Sequence, residues 1–196
     1  MHKHPEKQVT KSDSSVFTYS GRRVDFVTPR VASIQAADIA EQLAKRWMYR
    51  GATRGLYTAA QHSAIIAGEV ARAEGPLAAF YALLHHAEHC YSSDPAHAPS
   101  LQNTIHKAFG LPSPMPESLA AALSRIHDNV ELTELRQLCS GCEPEITRLE
   151  RRGAIALKPL ILPLGWDRAH ERFVEAMRTY TRVAGLVKSP AFGDLL

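Results

Sequence analysis

Ile34, Ile39, Leu43 and Trp47 recur near helical spacing, as do Ile65, Ile66 and Val70, and then Leu77, Phe80, Tyr81, Leu83 and Leu84. Such spacing gathers apolar side chains on one stripe of a helix, and that stripe must be buried against another element. No period-two alternation persists, so the chain offers little from which to build a sheet. Ser33 as an N-cap, Gly75-Pro76, Gly110, the Pro112–Pro116 run, Pro159 and Pro163 punctuate the pattern. They predict helices over about 34–49, 57–73, 76–91, 100–109, 116–138, 143–157 and 167–184. The expected fold class is all-α, a compact helical bundle with the third helix at its centre.

A length of 196 residues with 45% hydrophobic side chains suits one domain with a sizeable core. The first 18 residues are polar and are expected to form a disordered tail. They contain no apolar core of a secretory signal, and no apolar run approaches a membrane span. A net charge of +3, dispersed along the chain, argues against membrane and specific nucleic-acid partners. The three cysteines, Cys90, Cys139 and Cys142, have no framework spacing, which suggests a reducing, cytoplasmic setting. Cys139-Ser-Gly-Cys142 reads either as half of a zinc or redox motif or as a helix end capped by Gly141.

Histidine is the informative residue: seven of the ten lie between His62 and His127. His85, His86 and His89 fall within an apolar helical stretch. On a continuous helix, His85 and His89 share a face while His86 is rotated by about 100°. Burying three imidazoles without partners is costly, and imidazole suits divalent zinc, iron, nickel and similar ions. His62 and Asp128, on flanking helices, are candidates to complete the ligand set. Arg46, Arg50 and Arg54 read either as a phosphate-binding loop or as solvated charge. Trp47 and Tyr49 read either as a platform for a base or as core.

The runs Tyr57-Thr-Ala-Ala-Gln-His62-Ser63 and Leu83-Leu-His85-His86-Ala-Glu-His89-Cys-Tyr91, followed by Asp94, carry a resemblance. So do Ser20-Gly-Arg22, Asp38-Ile-Ala40, Asp128 with Thr133-Glu-Leu-Arg136, Trp166 and Phe173. Over about residues 19–180 the chain resembles the HD-domain metal-dependent phosphohydrolases. The nearest likeness is to the small branch related to 5′-deoxynucleotidases and deoxynucleotide triphosphohydrolases. The resemblance implies an HD-like helical domain over 19–196, with His62, His85 and Asp128 as metal ligands. It implies one divalent ion (Zn, Mn, Co, Ni or Fe), with Asp94 helping to position substrate or water. Its substrate would be a small-molecule nucleotide, a deoxynucleoside mono- or triphosphate. Arg46, Arg54 and Trp47 are the expected substrate contacts, and a homodimer is compatible with the reading.

Three departures from the family pattern carry physical consequences. His86 stands where the family has its motif aspartate, and a neutral imidazole does not readily bridge two metals, which points to a mononuclear site of His62, His85, His86 and Asp128. His89 stands where the family has a catalytic glutamate, and it takes over the general-acid role because imidazole titrates near neutrality. The spacing from Asp128 to Glu134 is one residue short of the commonest form, and the family's arginine falls on Met48 in strict register, or on Arg46 if the loop is longer. The competing reading is a catalytically impaired HD-fold pseudoenzyme that binds a nucleotide or a protein partner.

Overall fold

The computed structural model of the chain describes residues 14–195. Among the described residues the fold is all-α apart from one short hairpin. In that hairpin β1 (Ser15–Phe17) pairs antiparallel with β2 (Arg23–Asp25), placing Val16 opposite Val24. The expectation of a free tail over 1–18 is therefore corrected for residues 14–18, and residues 1–13 lie outside the described residues. The hairpin lies below the length at which period-two patterning can be recognised, yet Val24 is fully buried and anchors it.

Helix α1 (Ala36–Lys45) buries Ala36, Ile39, Ala40, Leu43 and Ala44. It starts after Gln35 without a side-chain cap, and Ser33, expected to cap it, instead donates to the Arg30 carbonyl. Buried Asp38 accepts bonds from the backbone N–H (2.6 Å) and hydroxyl (3.0 Å) of Ser20, tying the turn after β1 to the helix. Thr58 caps α2 (Ala59–Glu74) by accepting the Gln61 N–H. Gly75, at φ 88°, turns the chain directly into α3 (Pro76–Leu83), with Pro76 at the first helical position. Helices α4 (Ala98–Ala108), α5 (Glu117–Leu138), α6 (Glu143–Arg151) and α7 (Trp166–Val183) follow. Helix α7 packs on α1, α2 and α3 through Ala169, Phe173, Val174 and Met177. Among the described residues, no helix is long and apolar enough to cross a membrane.

Two local features position the candidate site. The first is the irregular connector 154–165, whose backbone must find partners outside any helix. Asn129, Thr133 and Gln137 lie four residues apart along α5 and accept the N–H groups of Ile155, Leu157 and Ile161. From α2, Gln61 accepts the Leu164 N–H and donates to the Leu162 carbonyl. These bonds fix the rotation of α5 about its axis.

The second feature is the end of α3. The expected helix through Tyr91 stops at Leu83, and the chain tightens into a turn, with His85 N–H bonded to Ala82 and Ala87 N–H to Leu84. Ala87–Cys90 continues as a 3-10 turn, and His86 sits at φ −108°, ψ 7°, outside helical geometry. The central apolar face runs out before the histidines do, and the backbone uncoils where they begin.

Candidate metal centre

Leaving the helix at His85 lets two adjacent side chains do what an α-helix forbids. The rings of His85 and His86 turn to the same side, their centroids 3.8 Å apart. His62, on the second turn of α2, faces them at 5.6 Å and 5.0 Å. From α5, His127 closes the group at 5.3 Å from both His62 and His85 and 5.9 Å from His86. One ligand atom from each of these four imidazoles lies within 4.8 Å of the others. Tetrahedral bonds to zinc of about 2.0–2.1 Å require nitrogens about 3.3 Å apart, so small inward rotations would close the set on one ion.

The hydrogen bonds around the rings are those that metal ligation needs. His62 Nδ1 lies 2.7 Å from Glu134 Oε1, and a carboxylate can only accept, so Nδ1 carries the proton. His85 Nδ1 lies 2.7 Å from the Ala82 carbonyl and is a donor for the same reason. Both Nε2 lone pairs are therefore free. Nε2 of His62, His85 and His86 is buried without a hydrogen-bond partner among the described residues. A buried acceptor left unpaired costs about 1–3 kcal/mol, and three in one cluster make a donor set that could hold a metal ion. Burial, and then the neighbouring imidazoles, hold His85 and His86 well below the ordinary histidine pKa. Burial brings His127 down to about 4. His85, His86 and His127 are thus neutral near pH 7, as ligands must be.

Glu134 is wholly buried and serves as the anchor behind His62. Tyr49 donates to its Oε2 at 2.5 Å, and Tyr57 donates to Oε1. Burial pushes the Glu134 pKa up, but His62 and the two hydroxyls outweigh it and hold the group below its usual range. The same contacts, after burial, raise both tyrosines, which stay protonated. Tyr49 reaches the carboxylate from a strained backbone: Tyr49 and Arg50 have φ of 51° and 55°.

His62, His85 and His86 come together as expected, but Asp128 does not join them. Its carboxylate meets Arg152 at 3.0 Å, and His127 occupies the fourth position. Helical geometry gives the reason: residues seven apart lie almost on one face, so 127 aligns with 134, whereas 128 is rotated by about 100°. The spacing to Glu134, one residue short from Asp128, was the signal that could have identified His127.

His89 also moves relative to expectation. With α3 ended, it stacks on His86 at 5.5 Å and no longer lies one turn beyond His85. Between them sits Glu88, which the sequence did not mark, with ligand atoms of His86, Glu88 and His89 within 4.8 Å of one another. Burial lifts Glu88 to about 7, and Gln102 donates to its Oε2. Arg46 is exposed and points at the His89 carbonyl (3.4 Å), which sets its charge beside this edge of the cluster.

The remaining expected residues serve other ends. Asp94 accepts the Ala96 N–H (2.9 Å) in an exposed turn. Arg54 binds the end of α5, through its own N–H to the Leu138 carbonyl and its guanidinium to Ser140. Trp47 is 43% exposed and its backbone pairs with Thr58, so it is not core. Cys139 caps α5 and Gly141, at φ 70°, turns the chain towards α6, which favours the helix-end reading of that motif.

No family model matches the chain. An uncharacterized protein of Rhodobacter capsulatus is 30% identical over 148 residues, which cover 66% of this chain and 76% of the relative.

Proposed function

Since the chain belongs to the family of that Rhodobacter capsulatus protein, and the kinship carries no activity with it, we propose a function from the site: metal-dependent hydrolysis of a nucleotide phosphate ester. The chain is read as a diverged HD-domain phosphohydrolase of the cytoplasm, acting on a deoxynucleoside mono- or triphosphate. One divalent ion would be held by His62, His85, His86 and His127. The observation that carries the reading is the set of three buried, unpartnered Nε2 atoms, two of them fixed in the ligating tautomer by bonds at Nδ1.

A divalent ion bound there supplies acidity to water and polarises a phosphoryl oxygen. The chain's own groups do the rest. Glu134 orients the His62 ring and balances part of the site's charge. Arg46 offers a planar donor fork to phosphate oxygens at the edge nearest His89. Glu88, poised near neutrality, exchanges a proton with the leaving oxygen, either directly or through His89, whose Nε2 lies 3.6 Å from it.

A specific observation favours the second reading, a catalytically silent relative that binds a nucleotide or a protein partner. The four cluster residues include no carboxylate, and Asp94 and Arg54 are engaged in turns and helix ends. Metal analysis of purified protein, followed by a phosphate-release screen over nucleotides, separates the two. The hydrolase reading expects release that is abolished in His85→Ala. Metal-loaded protein that cleaves nothing, yet is stabilised by a nucleotide in a thermal-shift assay, supports the silent reading.

A further inference from the structure

His86 is shared between two sets of ligand atoms. It belongs to the four imidazoles and also to a triad with Glu88 and His89, and within each set the atoms lie within 4.8 Å of one another. We propose that His86, Glu88 and His89 form a second, weaker site for a divalent cation such as zinc, filled after the four-imidazole centre and drawing His86 away from it. The proposal rests on the metal reading of the inner cluster and adds a second ion beside it.

The donors suit an ion. His89 Nε2 stands 3.6 Å from Glu88 Oε1. Bonds of about 2.0–2.2 Å to one tetrahedral ion set two ligand atoms about 3.3–3.5 Å apart, so little movement is needed to seat it between them. Among the described residues no lysine or arginine forms an ion pair with Glu88, whose other oxygen accepts from the neutral Gln102. The carboxylate's charge is therefore left to offset the ion's. Nε2 of His86 and Nδ1 of His89 are buried without a hydrogen-bond partner. The His89 side chain is 34% exposed, so an ion can reach this edge from solvent. Two imidazoles and a carboxylate are a set that zinc accepts with a coordination position left open.

Geometry makes His86 the ligand that changes hands. The ring centroids of His62, His85 and His127 stand 5.6, 5.3 and 5.3 Å apart, close to an equilateral triangle. His86 lies off that triangle, at 3.8 Å from His85, 5.0 Å from His62 and 5.9 Å from His127. His62 and His85 are pinned at Nδ1 by Glu134 and the Ala82 carbonyl, and among the described residues no such bond holds the His86 ring. A neutral imidazole does not readily bridge two metals, so His86 serves one ion at a time and leaves the inner ion on three imidazoles. The Arg46 guanidinium, beside the His89 carbonyl, repels the outer ion and makes it the weaker of the two.

Titration with Zn²⁺ against a chromophoric chelator counts the ions and ranks them. The wild type should take up two equivalents, the second more weakly. His89→Ala and Glu88→Gln should each lose the second equivalent and keep the first. His86→Ala should lose the second and weaken the first, which then rests on His62, His85 and His127. Arg46→Ala should tighten the second equivalent alone, by about fivefold, since one repelling charge is gone. A single equivalent in the wild type would overturn the outer site and leave the inner centre standing. So would a second equivalent that survives both His89→Ala and Glu88→Gln, which would place that ion elsewhere on the protein. If the wild type takes up no Zn²⁺ at all, the four-imidazole centre is wrong and the outer site falls with it.

Discussion

The 2.7 Å bond from His62 Nδ1 to Glu134 Oε1 joins two fully buried residues of α2 and α5 and decides which nitrogen of His62 is free. Without it the ring could take either tautomer, and the lone pair aimed at His85 and His86 would be present only part of the time.

Glu134→Gln keeps the shape and removes the charge. The expected result is a loss of metal affinity of about 10–100-fold with the helical content retained, measured by titration calorimetry and circular dichroism. Unchanged affinity would mean that Glu134 serves packing alone.

His127→Ala and Asp128→Ala should part company. The first removes one of four imidazoles and should weaken binding while leaving a three-imidazole centre that still loads at excess metal; the second should leave equilibrium affinity intact. The reverse result would restore Asp128 as the fourth ligand.

This contrast marks where the sequence was legible. The helices α2, α4, α5 and α7 could be read because their apolar periodicity runs between clear Gly and Pro stops. His62, His85 and His86 could be read because their crowding in an apolar stretch has no cheap structural explanation. The end of α3 was not legible: Leu84 to Cys90 contains no Gly or Pro, and only tertiary packing uncoils it. Glu88 was missed for the same reason, since on a continuous helix it would not stand between His86 and His89. Tyr49 was out of reach because its link to Glu134 depends on two consecutive residues at positive φ, which no composition rule anticipates.

That strained pair can be relieved. Arg50 is exposed at φ 55°, where glycine carries no Cβ penalty. Arg50→Gly is expected to raise stability by about 1 kcal/mol in urea unfolding. Tyr49→Phe, which removes a donor to a buried carboxylate, should lower it by about 1.5–3 kcal/mol.

Acid stability should report on His106, which is buried on Tyr81 with both ring nitrogens unpartnered. Burial lowers its pKa to about 4 in the folded protein. The unfolded chain therefore binds the extra proton between about pH 6.5 and 4, and folding stability falls as pH drops through that window, by a few kcal/mol on the order of 3. His106→Leu should flatten this dependence in metal-free protein; an unaltered slope would assign the acid sensitivity to the His62 cluster.

If the site hydrolyses phosphate esters, Glu88→Gln should slow turnover by about 10²–10⁴-fold while metal content stays unchanged. The limb of the rate profile near pH 7, which the raised Glu88 pKa of about 7 predicts, should vanish with it.

The most direct measurement is X-ray absorption at the zinc edge of the zinc-loaded protein. A centre of His62, His85, His86 and His127 predicts nitrogen scatterers near about 2.0 Å with the outer-shell pattern of four imidazoles, reduced to three in His127→Ala. A sulfur scatterer near about 2.3 Å, a spectrum with fewer than three imidazoles, or one unchanged in His62→Ala would contradict the four-imidazole centre.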